Sequence, residues 1–395
     1  MTLKRDDNLL AYATPRQTEK LLKYWELDCS ATAAADALGI DNSSIYQAIK
    51  SVQAKAARQG YSPEHEMTHV VPDGYRLKGT STLFDKEGKA RLQWVKTTID
   101  HERQAEIIEQ SFQAMANDLP KLPARATKPE GLDSRLMAVY PLGDPHIGML
   151  SWADETGEAY DLHIAERLHC AAMVQLVELA PNCKHATIMN LGDYFHSDNS
   201  EGVTSRSGHH LDTDSRYAKM AAVGIRIMRT LIEAALTKHE TVHIINVGGN
   251  HDDIGAIMLR VCLANMYANE PRITVDTSPG GFHYFRHGKV LVGAHHGHSC
   301  KADRLPGVMA NDRAKDWGET LHRYWYVGHI HHQSVKDYPG VTVESFRTLA
   351  AKDAYASWGG YRAPRDMKCI VLHEHHGEVV RYSVNPAMID PETVK

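Results

Sequence analysis

The chain has 395 residues, 43% of them hydrophobic, enough for two globular domains with buried cores. No run of about 18 apolar residues occurs, so no membrane-spanning helix and no membrane partner are expected. Six scattered cysteines with no C-x-x-C pair argue against a disulfide framework or a zinc ribbon, and a net charge of −5 excludes a general polycation. Met1 to Asp7 mixes both charge signs and leads into no apolar run, unlike a secretory leader. The expectation is a cytoplasmic protein with reduced thiols.

Residues 1–65 read as a small all-α domain. Thr14-Pro15 opens a helix, because threonine caps and proline is tolerated at the first helical position. A second short helix holds Ala33 to Leu38, and Gly39 turns the chain. Asn42-Ser43-Ser44 caps a third helix with Ile45, Ile49, Val52 and Ala56 on one face, completing a helix-turn-helix pattern. Between Asn42 and Gln59 there is no acidic residue, whereas Lys50, Lys55 and Arg58 lie on or just past this helix. Gln47 and Gln53 are candidates to touch bases and Tyr46 a backbone phosphate, which makes DNA the expected partner. A packing or dimerisation module is the alternative for this unit.

Residues 66–130 combine a hairpin, a helix and a linker. "YRLKGTSTLF" and "ARLQWVKTT" alternate around a turn at Asp85 to Gly88, Glu102 to Leu119 has helical character, and three prolines lie between Leu119 and Glu130. From residue 131 to 395 the pattern becomes α/β. Apolar runs of strand length (Met137 to Leu142, Thr187 to Leu191, Val242 to Val247) alternate with helical periods (Leu162 to Leu179, Tyr217 to Lys238, Ile254 to Tyr267). Beyond Arg272 six strands follow more closely, the last two at Lys368 to His373 and Val379 to Ser383.

The 25 histidines are distributed tellingly. Five segments each close a strand with a metal-capable residue: Gly143-Asp144-Pro145-His146, Gly192-Asp193-Tyr194-Phe195-His196, Gly249-Asn250-His251-Asp252, His295-His296-Gly297-His298 and Gly328-His329-Ile330-His331. Carboxylate, carboxamide and imidazole without thiolate suit manganese, iron or zinc and disfavour a cysteine-built zinc site. Strand tips of open α/β sheets are also where ligands collect. Each segment read singly is an ordinary turn; the set of five in order is not.

The order D-x-H, G-D, G-N-H-D, H-G, G-H-x-H resembles the calcineurin-like metallophosphoesterases over roughly residues 137–385. The resemblance implies a four-layer αββα sandwich with two divalent metal ions, manganese foremost, with iron, zinc and magnesium as the other candidates. It implies that Asp144, His146 and His331 hold one metal, that Asn250, His296 and His329 hold the other, and that Asp193 bridges them. Among His295, His296 and His298, only the match to H-G selects His296. His251 would stand over the leaving-group oxygen with Asp252 as its orienting partner. The chemistry implied is a shared water ionised near neutral pH, with the metals stabilising charge on phosphoryl oxygens.

The segment "GDYFH" resembles the corresponding one in SbcD-type nucleases, where the histidine matched by His196 helps to orient the DNA backbone. No coiled-coil-docking extension is evident, which puts an SbcC-like ATPase partner in doubt. The layout, with "GTSTLFDKEG" and "LQWVKT", also resembles phage and prophage proteins that join a helix-turn-helix to a metallophosphoesterase, implying the host cytoplasm. Arg206 and Arg216, with His209 and His210, are candidates for one wall of a phosphate-binding cleft; a solvated loop is the alternative. The expectation is a metal-dependent DNA endo- or exonuclease, with homo-oligomerisation left open. The rivals are a nucleotide or small-molecule phosphodiesterase or phosphatase, and a non-catalytic DNA-binding regulator.

Overall fold

A computed structural model describes residues 3–63, 67–68, 71, 75–86, 90–100, 103, 129–199, 202–204 and 208–389. The chain divides into two compact units, Met1–Gln110 and Ser111–Lys395. Among the described residues no helix is long and apolar enough to cross a membrane.

In the first unit a short 3-10 turn (Asp7–Tyr12) precedes α1 (Pro15–Glu26), α2 (Ala31–Leu38) and α3 (Asn42–Arg58). Thr14 and Gln17 form a reciprocal capping box with Pro15 at the first helical position. Gly39, left-handed at φ 65°, ends α2, and the short turn to α3 places both helices against Leu21, Tyr24 and Trp25. The cap of α3 is Asp41, whose carboxylate accepts from Ser43 N at 2.8 Å, so the third helix does begin beside an acid. An acid is favoured there because the helix N-terminus carries partial positive charge. Two short strands, β1 (Tyr61–Ser62) and β2 (Met67–Thr68), pair antiparallel, as do the long β3 (Tyr75–Phe84) and β4 (Ala90–Ile99). The helix and linker expected from Glu102 to Glu130 lie outside the described residues, apart from Arg103, Pro129 and Glu130.

The second unit runs β5 (Asp133–Leu142), α4 (Ala153–Thr156), α5 (Leu162–Leu179), β6 (Cys183–Asn190), α6 (Tyr217–Leu236), β7 (Thr241–Asn246), α7 (Asp253–Met266) and β8 (Ile273–Val275). It continues β9 (His283–His287), β10 (Val290–His295), α8 (Leu305–Asp312), α9 (Ala314–Glu319), β11 (His322–Val327), β12 (Ser334–Tyr338) and β13 (Val341–Ser345). It closes with α10 (Ala354–Trp358), β14 (Met367–His373), β15 (Gly377–Val384) and α11 (Pro386–Ile389). One sheet has the order β15-β14-β5-β6-β7-β8, with β5 to β8 parallel; the other has the order β12-β13-β11-β10-β9, with β10, β11 and β13 parallel.

Strand alternation builds the layers. Val139, Met189 and Ile245 of the first sheet meet Val290, Val292 and Tyr326 of the second between the sheets. The neighbouring residues Ala138, Tyr140 and Ile188 face outward onto α5, α6 and α7. Leu291, Trp325 and Val343 face outward from the second sheet onto Leu305 and Met309 of α8. The result is the four-layer αββα sandwich that the resemblance implied, with a separate small helical unit ahead of it. The edge strand β12 and the helices α8 to α10 were not evident in the sequence. β12 is exposed along most of its length and carries no buried face, and α8 opens Leu-Pro-Gly, a turn-like signal.

Candidate metal centre

Parallel strands point their carboxyl ends the same way, so β5, β6 and β7 deliver Asp144, Asp193 and Asn250 just beyond one edge of their sheet. Strands β10 and β11 likewise deliver His296, His329 and His331. The side chains converge. Asp144, His146 and His331 form one group, and Asp193, His296 and His329 another, with the potential ligand atoms of each group within 4.8 Å of one another. Asn250 Oδ1 lies 3.1 Å from His296 Nε2, next to the second group.

The backbone is bent to achieve this. Asp144, His146, Asp193, His329 and His331 all have positive φ, between 44° and 73°. Among the described residues only Asp28 and Cys29 are otherwise so placed without being glycine. Each such residue costs about 1–2 kcal/mol, and clustered strain of this kind marks functional sites. Close approach also demands glycine. A Cβ on Gly249 would lie 2.0 Å from Asp193 Oδ1, and one on Gly192, itself at φ 96°, would lie 2.6 Å from His296 Nδ1.

The donor set fits cations. His296 Nδ1 donates to the Leu191 carbonyl at 2.8 Å, so Nε2 is the nitrogen turned toward Asp193 Oδ2 at 3.2 Å and Asn250 Oδ1 at 3.1 Å. His146 Nε2 faces His331 Nε2 at 3.1 Å, and that atom lies 3.5 Å from Asp144 Oδ1. Buried lone pairs that converge in this way require either protons or metal between them. Burial opposes a proton on His296, but the Asp193 carboxylate outweighs it and lifts the imidazole to about 9. Burial alone would raise Asp193, but His296 beside it holds the carboxyl well below its usual range. Two divalent cations with oxygen and nitrogen ligands satisfy the same lone pairs.

Of the three neighbouring histidines, His296 is the one aimed at Asp193. His295 ends β10 with its ring stacked on Phe282, its Nδ1 accepting from Gly297 N and its Nε2 3.2 Å from Ser299 Oγ. The His298 ring sits 5.2 Å from that of His296 and 6.2 Å from that of His329. Beside the first group stand His196 and His251, whose ring nitrogens together with those of His146 also lie within 4.8 Å of one another. His196 Nδ1 is 3.2 Å from His146 Nδ1, and its buried Nε2 has no hydrogen-bond partner. Burial pushes the His196 imidazole down to about 3.

The role expected for Asp252 is corrected by the geometry. Its carboxylate does not orient His251, whose Nδ1 donates instead to the His196 carbonyl at 2.9 Å. Asp252 accepts from four backbone N–H groups: Asp193 at 3.1 Å, Tyr194 at 2.8 Å, Phe195 at 3.2 Å and Gly249 at 2.8 Å. It sits just ahead of α7 without capping it. The cap is Asp198, which bonds Ile254 N and Gly255 N at 2.7 Å each and whose carboxyl burial raises to about 7. The sequence marked neither role. Asp198 takes two N–H groups of the helix start, and the fully buried Asp252 carboxylate turns to the tight loop after β6.

Elsewhere, Tyr46, Gln47, Lys50, Lys55 and Arg58 are exposed on α3 and Gln53 is half-buried, opposite the Ile45, Ile49 and Val52 face. Arg216 is exposed at the start of α6, Arg206 lies outside the described residues, and His209 and His210 are exposed and belong to none of the metal-capable groups.

No family model and no curated protein matches the chain. Among solved structures it is similar to Vps29 complexed with zinc from Entamoeba histolytica, at 13% identity and TM-score 0.28 over 63% of this chain and 98% of that one. It is also similar to an archaeal phosphodiesterase, at 12% identity and TM-score 0.33 over 63% of this chain and 100% of that one. A third is a predicted phosphoesterase from Streptococcus pneumoniae TIGR4, at 11% identity and TM-score 0.26 over 64% and 100%. Similarity this low assigns the site nothing; the convergent side chains speak for a metal pair on their own.

Proposed function

We propose that the chain is a two-metal phosphoesterase that hydrolyses phosphodiester bonds in DNA. The observation that supports it is the convergence of buried carboxylate, carboxamide and imidazole lone pairs beyond the strand tips, held there by strained backbone. Asp144, His146 and His331 would hold one cation, Asn250, His296 and His329 the other, and Asp193 both. When bound, such a pair, manganese foremost, supplies an ionised water at neutral pH and neutralises charge on the phosphoryl oxygens.

The chain's own residues do the rest. His251 Nδ1 is committed to the His196 carbonyl, which orients the ring and leaves Nε2 to carry the proton given to the departing oxygen. The backbone N–H of His251 donates to Asp193 Oδ1 at 2.8 Å, so the proton carrier and the shared carboxylate keep a fixed separation. Asp252 ties the loop after β6 to the loop after β7 and keeps Asp193 in its strained conformation. His196 supports His146 and His251 and is placed to orient the scissile backbone. The basic face of α3 would tether the enzyme to duplex in the manner of a helix-turn-helix.

The test is a panel of circular, linear and single-stranded DNA with several divalent ions, run beside cyclic-nucleotide and p-nitrophenyl-ester hydrolysis. Nicking or degradation of DNA is expected with manganese. Turnover of the small esters with every DNA substrate intact would reject the nuclease reading.

A further inference from the structure

Exposed aromatic rings cluster on α10 and its exit. Tyr355 is 75% exposed, Trp358 78% and Tyr361 59%, and α10 packs beside α4, at whose start Trp152 is 63% exposed. Scattered surface aromatics are ordinary, but several large ones on one turn of a folded chain mark an interaction surface. The turn is built to present them. The Asp353 carboxylate caps α10 through Ala356 N at 2.8 Å, and Gly360 at φ 77° reverses the chain. Gly360 N then bonds Ser357 O and Tyr361 N bonds Ala356 O, which stacks the Tyr361 ring over that of Tyr355 at 6.5 Å. Next in the chain is Arg362, whose guanidinium bonds the carbonyls of Ser357 and Tyr361 and has no carboxylate partner among the described residues.

The chain reaches this surface directly from beside the metal-capable groups. Thr348 donates to the Asp144 carbonyl at 2.6 Å, and the Ser151 hydroxyl donates to the Lys352 carbonyl at 2.8 Å. From Thr348 to the start of α10 the chain spans at most about 20 Å. A strand several nucleotides long held at the rings would therefore reach the metal-capable groups. Flat rings with an unpaired cation beside a phosphoester site match one chemistry, unpaired bases on a polyanionic backbone. A duplex hides its base faces in its own stack.

We propose that Tyr355, Trp358, Tyr361 and Arg362 form a stacking platform for single-stranded nucleic acid leading into the metal centre. This rests on the nuclease reading above and makes the single strand the preferred substrate form.

The test compares the full chain with its Trp358→Ala/Tyr361→Ala variant in manganese, on a single-stranded oligonucleotide and on bis(p-nitrophenyl) phosphate. The variant is expected to lose about tenfold in kcat/KM per ring on the oligonucleotide, carried by KM. Its rate on the small ester stays unchanged, which also reports intact folding, and Trp358→Phe retains most of the oligonucleotide rate. Unaltered oligonucleotide kinetics, or an equal loss on both substrates, overturns the platform while leaving the nuclease reading in place. A change in oligomeric mass with unaltered oligonucleotide kinetics makes the surface a self-interface and overturns it as well. A wild-type chain that cleaves the ester but no nucleic acid removes the nuclease reading, and the platform with it.

Discussion

Asp193 and His296 face each other across the two sheets, carboxylate Oδ2 to imidazole Nε2 at 3.2 Å, with the Nδ1 proton of His296 already given to the Leu191 carbonyl. Asp193 stands on the loop after β6 and His296 on the loop after β10, so this pair joins the tips of both sheets. Its other oxygen takes the backbone N–H of His251. Both Asp193 oxygens are thus engaged within the site.

Removing that carboxylate should empty the centre. Asp193→Asn is expected to bind less than one cation pair per chain and to lose about a hundredfold or more in kcat/KM on a phosphodiester. Metal content by plasma emission spectrometry and steady-state kinetics check this together. Dialysis of the wild-type chain against a chelator should abolish turnover and manganese should restore it; full activity after chelation would refute a metal requirement.

His251 should act late. His251→Gln keeps the cations but slows hydrolysis by about a hundredfold or more for an alkoxide leaving group. The loss should be much smaller for p-nitrophenolate, which departs without a proton. Equal losses on the two ester types would remove the proton-donor role.

Asp252 should prove a structural brace. Asp252→Ala leaves four buried N–H groups without an acceptor, costing roughly 3 kcal/mol or more. In a unit of this size that lowers Tm by about 6–12 °C. Asp252→Asn, which keeps an acceptor oxygen, should recover part of it. A thermal melt unchanged in the alanine variant would show the brace to be dispensable.

Gly249 leaves no room for a side chain. Gly249→Ala places a methyl group against the Asp193 carboxylate and should cost about a hundredfold in activity, because catalytic groups tolerate little displacement. Near-normal rates in this variant would mean that the β6 and β7 loops yield more easily than their packing indicates.

On α3, Lys50→Ala/Lys55→Ala/Arg58→Ala should weaken duplex binding and reduce the slope of log affinity against log salt by up to about 3. Hydrolysis of the small ester should not change. An unaltered salt slope, measured by fluorescence anisotropy, would take the tether away from this helix.

Much of the sandwich was legible because its parallel strands are buried on both faces and read as unbroken apolar runs, as in Thr187 to Leu191. The metal-capable residues were legible because five such segments follow one another at strand ends, although each by itself reads as an ordinary turn. The direction of each side chain was not. His295 and His296 are adjacent, yet one stacks on Phe282 and the other faces Asp193, since neighbouring residues at a strand end point to opposite sides. Asp252, expected to orient His251, instead accepts from N–H groups of the loop after β6, which is distant in sequence, and Asp198 caps α7. The sequence alone determined the buried strands, the long helices and the ligand chemistry that their ends carry, because apolar periodicity and turn residues act over a few positions. Only the tertiary structure decided which atoms meet, because the sign of φ at Asp144, Asp193 and His331 is set by packing between strands far apart in the chain.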